Sequence, residues 1–401
     1  MINDKSAGPS RRSILTWGGT TALAAGTVLA AGAGPAAAQA PAAAAETDPS
    51  AAQTATPAAS SPALRLPCPV VDVSAQSQPW RVEKTLEDAT VLQSFAFDNV
   101  NRHVYLVQVT QGGRTLSGES GPVSGAARAA NGDLTITKWD YEGTSLGRMH
   151  LRGCGHGVGI GVEPSGGDAY LWTEAAVPPV PDPAVWTDNP AAAAPGFGTR
   201  ITRFKFENGK VLDSASLVTY EPAGPSTYNG VAVDPVHGRL LHRYVQDGTV
   251  RYRLHDLDQA RKGVFSEPVA EIAEPQIQVD ASRYGRPTFQ GFTVAGRYLY
   301  LLHGDHYGTT QLIGGKEVVV SSKDNGGNTF ITSVDLTTGQ IVKTARSMAF
   351  GGDGVDYREP EGLAIQIPEQ TRLGVFRLVF GFAYGAEGAR KVALYTKDEL
   401  L

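Results

Sequence analysis

Five short stretches of this chain open on a side chain able to hold a proton or a directed hydrogen bond. The openings are Gln93, His156, Asn229, Gln290 and Glu361, each followed by glycine or serine and then by alternating apolar positions. An imidazole such as His156 could act as a general base, and the nearby Tyr228 could donate a proton to a leaving oxygen. Glu361 could instead work beside Glu174, Glu359 or Asp305 as one of a pair of carboxylates in acetal hydrolysis. Arginines stand just ahead of the openings, at Arg148, Arg152, Arg286 and Arg358. A guanidinium fork matches carboxylate or phosphate oxygens, so Arg152, Arg286 or Arg358 could neutralise a uronate and make its neighbouring carbon more acidic.

Such residues lie far apart in the chain, so repetition must bring them together. The five openings recur every 61–73 residues. In the first four units a turn follows, then a second apolar run: His103–Val107, Asp168–Trp172, Arg239–His242 and Tyr298–Leu302. Period-2 alternation with β-branched and aromatic residues makes each unit a hairpin, and later segments such as Thr135–Trp139 and Arg200–Phe204 add strands. Turns at Asn208-Gly209 and Thr338-Gly339 predict a fourth strand in two of the units. No segment has helical periodicity. The expected fold class is therefore all-β: a single β-propeller, five blades of about four antiparallel strands, spanning residues 64–401. The last unit is one strand short, and Val70–Val73 could supply the missing strand and close the ring.

In that geometry the residue opening each inner strand stands at the rim of the axis. Gln93, His156, Asn229, Gln290 and Glu361 should form a polar ring on one face, and glycine or serine beside them lets the strands crowd together. Each second strand returns to the same face and adds Glu174, His242, Arg243, His303, Asp305 and His306. The Ala175–Gly198 insertion, with Trp186 and Phe197, could wall this mouth. The competing reading is a purely structural ring that satisfies water and backbone in the bore. His103, His237 and His255 read as surface residues.

The ends and the composition set the context. Paired Arg11-Arg12, an apolar run from Ala22 to Ala33 and small-x-small sites near Ala38 read as a twin-arginine signal peptide over residues 1–40, implying export and no stable membrane insertion once it is cleaved. The apolar run is too short and too rich in glycine and alanine for a spanning helix. Residues 41–63, almost entirely Ala, Pro, Ser and Thr, read as a disordered linker. A net charge of −5 without basic runs excludes a nucleic-acid role. Cys68 and Cys154 could form a disulfide or remain buried thiols. No metal site is implied: His303-Gly304-Asp305-His306 lacks a third ligand nearby, and Asp324–Asn328 reads as a turn. Nor is any cofactor.

The anchor–glycine units, the Arg152-Gly153-Cys154-Gly155-His156-Gly157 run and Phe289-Gln290-Gly291-Phe292 resemble the teichoic acid biosynthesis protein C-like propellers, a domain shared with phage receptor-binding proteins. The resemblance implies a five-bladed platform that meets cell-wall or other surface glycans. Two expectations follow. The chain could be a secreted carbohydrate-active enzyme cleaving an anionic polysaccharide, with His156, Tyr228 and Glu361 as catalytic residues. Gln93, Arg152, Asn229, Arg243, Arg286, Gln290, His303, Asp305, His306 and Arg358 would then bind substrate. Alternatively it is a non-catalytic binder of wall glycans or teichoic acids, using the same arginines for phosphate and Trp186 or Tyr307 for stacking.

Overall fold

A computed structural model describes residues 64, 68–179, 196–351, 355–369 and 375–401. The expected signal peptide, the linker and Trp186 lie outside the described residues. The strands form five blade sheets plus one small two-stranded hairpin. The inner strands are Leu92–Asp98, Gly161–Ser165, Thr227–Asp234, Phe289–Ala295 and Arg358–Gln366. Each pairs antiparallel with the strand that follows it in sequence.

The ring closes through its core. Five apolar clusters each fill one gap between neighbouring blades. Tyr105, Ile136 and Met149 of the first blade meet Ile160 and Leu171 of the second. Trp172 and Ile201 of the second meet Val231 and Leu240 of the third. The last gap joins Val379 and Leu394 of the fifth blade to Phe95 and Trp139 of the first. Each large apolar side chain fully buried in this way contributes about 1.5–3 kcal/mol. Ala96, Ile160, Ala232, Thr293 and Ala364, one from every blade, line an axial bore with only ≈ 10 Å³ free. That space admits no more than about one water, so this stretch of the axis is packed by side chains.

Several expectations are corrected. The closing strand is Gln78–Thr85, which pairs with Lys391–Lys397, while Val71 makes only a single bridge to Leu400. The strand after the Asn208-Gly209 turn, Val211–Asp213, leaves its own blade and adds in parallel to Ser145–Arg152 of the first. Thr219–Tyr220 completes the second blade instead. Cys68 and Cys154 are both free, so the disulfide reading falls. Cys154 is buried in the gap between the first two blades. His255 is buried, edge-on to Phe265, because its strand is covered by the helix Leu257–Arg261 and the loop after it.

Candidate functional site

The two faces of the ring differ in construction. On one, tight turns join inner to second strands, with Asp98 paired to His103, Ser165 to Asp168, Asp234 to Arg239 and Ala295 to Tyr298. On the other, the mouth, long excursions leave the second strands after Val109, Ala175 and His303. Inner strands also begin there, and they begin irregularly. The ladder slips between Leu92 and Ser94, Thr227 and Gly230, Phe289 and Gly291, and Glu361 and Leu363. In four of the five units the polar residue and its small neighbour thus form a β-bulge, a device that re-aims side chains next to binding sites; His156, expected to open the second inner strand, instead lies in the loop ahead of Gly161–Ser165. Crowding explains the small residue: a Cβ on Gly362 would stand 3.0 Å from the Ser94 Cα, and one on Gly291 3.0 Å from the Gly362 Cα.

Some of the polar ring is committed internally. Asn229 donates to the Gly198 carbonyl at 3.1 Å and accepts from Ser226 Oγ, while its Oδ1 is 2.6 Å from His242 Nε2. Glu174 is buried and accepts the backbone amides of His156 (2.8 Å), Gly157 (2.7 Å) and Gly198 (2.6 Å). Burial lifts its carboxyl to about 8 in spite of those three donors. Asp305 accepts from Thr288 Oγ1 at 2.5 Å and Asn328 Nδ2 at 2.6 Å. Arg243 lies 4.0 Å over the Phe289 ring, with its Nε 3.3 Å from Tyr252 Oη and 3.7 Å from Glu274.

Other groups are free. The His156 ring leans on Phe197 (5.3 Å), which in turn meets Tyr228 (4.2 Å), forming a shelf of three rings from two blades. Tyr228 is 39% exposed and sits at φ +51°, a left-handed conformation that a bulky residue adopts at a cost of about 1–3 kcal/mol. His156 Nδ1 is buried without a partner, and desolvation lowers the imidazole to about 4, so the ring is neutral. His303 is likewise buried with an unpartnered Nδ1. Gln290 donates to the Gly304 carbonyl at 3.0 Å. Glu359 and Glu361, two residues apart on one strand, are both buried, and burial raises both carboxyls. Glu359 accepts from Tyr357 Oη, and Tyr357 is sandwiched by His306 (5.1 Å) and Arg390 (3.4 Å). Among the described residues, no donor reaches Glu361.

Residues 91–396 match the sequence profile of the phage 5-bladed beta propeller receptor binding platform domain. The chain belongs to this family. Among relatives of this receptor-platform propeller, a Bacillus subtilis (strain 168) protein named major teichoic acid biosynthesis protein C is 26% identical over 78% of the chain and 60% of its own length. The chain therefore spans less than two thirds of that relative. The tail fibre of Staphylococcus aureus phage P68 is 20% identical, over 78% of this chain and 52% of the fibre chain, with a TM-score of 0.48. An endo-1,4-beta-xylanase from Bacteroides thetaiotaomicron aligns at 11% identity over 77% of the chain and 92% of the enzyme, with a TM-score of 0.35.

In this receptor-platform propeller the arginines expected to share one mouth are dispersed. Arg358 is buried and points into the wall, donating to the Ala349 carbonyl (2.7 and 3.0 Å) and to Thr329 Oγ1 (2.9 Å), with Phe382 stacked at 4.1 Å. Its guanidinium is turned away from any ligand at the mouth because a strand residue next to Glu359 faces the opposite side. Arg152 lines a cleft of ≈ 310 Å³ with Glu119, Asp133 and Asp213, an acidic setting unsuited to a uronate. Arg148, on an outer strand, pairs with Glu87. Arg286 is exposed, and its hydrogen bonds to Gln311 are made by its backbone. Tyr357, Arg390 and Phe289 were not picked out by the repeat. Only the strand alternation Tyr357, Glu359, Glu361 could have signalled the first of them.

Proposed function

We propose that this chain is exported and binds a glycan of the bacterial cell wall across the mouth of its propeller, without cleaving it. The observation that carries the reading is the His156–Phe197–Tyr228 shelf, three successive tilted rings at the mouth with the His156 Nδ1 left unpartnered. Sugars present apolar ring faces with equatorial hydroxyls, and an aromatic shelf beside unsatisfied donors and acceptors complements both. Membership in a receptor-binding platform family and likeness to a protein named for teichoic acid biosynthesis support a wall glycan as partner. The exposed Arg286 offers a rim contact for phosphate or carboxylate groups. Export rests on the paired arginines and the apolar run of residues 1–40.

A β-eliminating lyase needs base, acid and guanidinium around one sugar. Arg358 is held by carbonyls within the wall, and Arg152 faces the carboxylates of Glu119, Asp133 and Asp213, which favours binding over this chemistry. Co-sedimentation with purified Gram-positive walls, before and after extraction of teichoic acid, tests the proposal. Binding that Tyr228→Ala weakens about tenfold supports it. Absence of wall binding, or new absorbance near 235 nm from acidic polysaccharides, overturns it.

A further inference from the structure

Three arginines among the described residues are buried: Arg128, Arg243 and Arg358. In two of them both terminal nitrogens are engaged. Those of Arg128 reach Glu119, Asp133 and the Arg114 carbonyl, and those of Arg358 reach Thr329 Oγ1 and the Ser347 and Ala349 carbonyls. Arg243, 7% exposed, differs: among the described residues only its Nε is hydrogen-bonded, to Tyr252 Oη at 3.3 Å, with Glu274 at 3.7 Å. Its terminal nitrogens carry the other four N–H donors, and no acceptor among the described residues meets them. Burying donors without acceptors is costly and rare in native structures. Arg243 stands at the mouth, paired with Gly230, which lies two residues beyond Tyr228 of the shelf.

A second unmet group faces the same place. His303, 6% exposed, follows Leu299 and Leu301 on its strand, and both leucines pack into the gap between the third and fourth blades. Alternation sends the His303 ring into the mouth end of that gap, and sends Arg243, two residues after Leu241, into it from the facing blade. Phe289 joins the two. Its ring centre lies 4.0 Å from the guanidinium carbon and 5.7 Å from the imidazole, which meets it edge-on. His303 Nδ1 is buried and has no partner.

We infer that Arg243 and His303 together bind an oxyanion of the glycan, a phosphate or carboxylate group, at the mouth end of this gap. The inference rests on the glycan-binding reading and says where the polymer's charged group goes. Tyr252 and Glu274 hold the guanidinium from its Nε side and leave the end-on edge, Nη1 with Nη2, to a pair of ligand oxygens. That edge matches the oxygens of a carboxylate or phosphate. Phe289 fixes the plane of the fork beforehand, so little side-chain freedom is lost on binding. A neutral imidazole keeps one N–H, so His303 donates to the same anion without taking up a proton. The carboxylates nearby are occupied elsewhere: Glu274 accepts from Tyr252 Oη at 2.5 Å, Asp305 from Thr288 and Asn328, and Glu174 from three amides. With water largely excluded, each hydrogen bond from Arg243 is stronger than one from Arg286 on the open rim.

The probes are a glycerol phosphate tetramer, tetragalacturonate and neutral cellotetraose, each titrated calorimetrically into the full chain. At least one anionic oligomer should bind about tenfold more tightly than cellotetraose, and which one does so tells phosphate from carboxylate. Arg243→Gln should bring that affinity down to the cellotetraose level. Arg243→Lys keeps a charge beside Phe289, so it stands in if the glutamine variant folds poorly; lacking the fork, it should still lose about fivefold. His303→Phe should weaken the anionic oligomer as well, and Arg286→Ala should weaken it less than either Arg243 variant. Equal affinity for all three probes, binding of none, or a preference undiminished in the Arg243 variants overturns the inference. So does a greater loss in Arg286→Ala. Wall binding that Tyr228→Ala still weakens, beside any of those outcomes, leaves the glycan reading standing and removes only the anion site. Absence of wall binding with an Arg243-dependent preference intact does the reverse.

Discussion

Glu174 and Gly198 are joined by a 2.6 Å hydrogen bond from the glycine amide to the carboxylate, whose other oxygen holds the amides of His156 and Gly157. One buried side chain thereby fixes both the anchor of the second blade and the base of the insertion that carries Phe197. Exchanging this carboxylate for an amide, in Glu174→Gln, sets an N–H₂ group against at least one of these backbone donors. Leaving a buried donor unmet costs about 1–3 kcal/mol. Urea unfolding of Glu174→Gln should therefore show a loss of about 2–3 kcal/mol, together with faster amide exchange at Gly198.

The aromatic shelf separates ligand contact from backbone strain. Tyr228 is exposed yet left-handed at φ +51°. Tyr228→Ala and Tyr228→Gly should weaken wall binding to a similar extent, about tenfold, since both remove the ring. The glycine variant should be more stable than the alanine variant by about 1 kcal/mol, because only glycine adopts this conformation without a Cβ clash. Thermal melts beside co-sedimentation separate the two effects.

Arg358 is a wall strut. Its guanidinium satisfies the Ala349 carbonyl and Thr329 Oγ1 with no exposure to solvent. Arg358→Ala leaves those acceptors unmet and opens a cavity beside Phe382, so a stability loss of about 3–5 kcal/mol is expected. A variant that keeps wild-type stability but loses ligand would contradict this placement and return Arg358 to the binding set.

Acid should destabilise the ring through its histidines. Burial lowers the imidazoles of His242, His303 and His150, and brings His156 and His255 to about 4. An imidazole depressed in the folded state binds fewer protons than its unfolded counterpart, so stability is lost as pH falls from about 6.5 towards 4. For His255, 1% exposed, the loss is about 3 kcal/mol. In denaturant midpoints measured from pH 7.5 to 4.5, His255→Phe should gain stability relative to wild type by roughly that amount, since the raised carboxyls of Glu174, Glu359 and Glu361, which act in the opposite sense, are common to both proteins. A difference between the two proteins that stays constant with pH would refute the assignment.

The architecture could be read from the chain alone, since a repeat of polar residue, small residue and alternating apolar positions has one economical solution in a closed ring of sheets. So could the placing of Gln93, Gln290 and Glu361 at a common face, because the same unit recurs near the start of inner strands that all run in the same sense. That four of the anchors are bulges, and that His156 lies in a loop, was not legible there, because a bulge depends on the register of the partner strand. Nor could local pattern tell Arg358, enclosed by carbonyls, from Arg286, exposed on the rim. Both are arginines three or four residues ahead of an anchor, Glu361 or Gln290, and only packing against Phe382 and Thr329 decides which charge stays free. The same holds for ring closure, where Gln78–Thr85 and not Val70–Val73 meets the last strand. Local pattern sets what a segment becomes; the free energy of burying it against distant partners sets which of its side chains are left to meet a ligand.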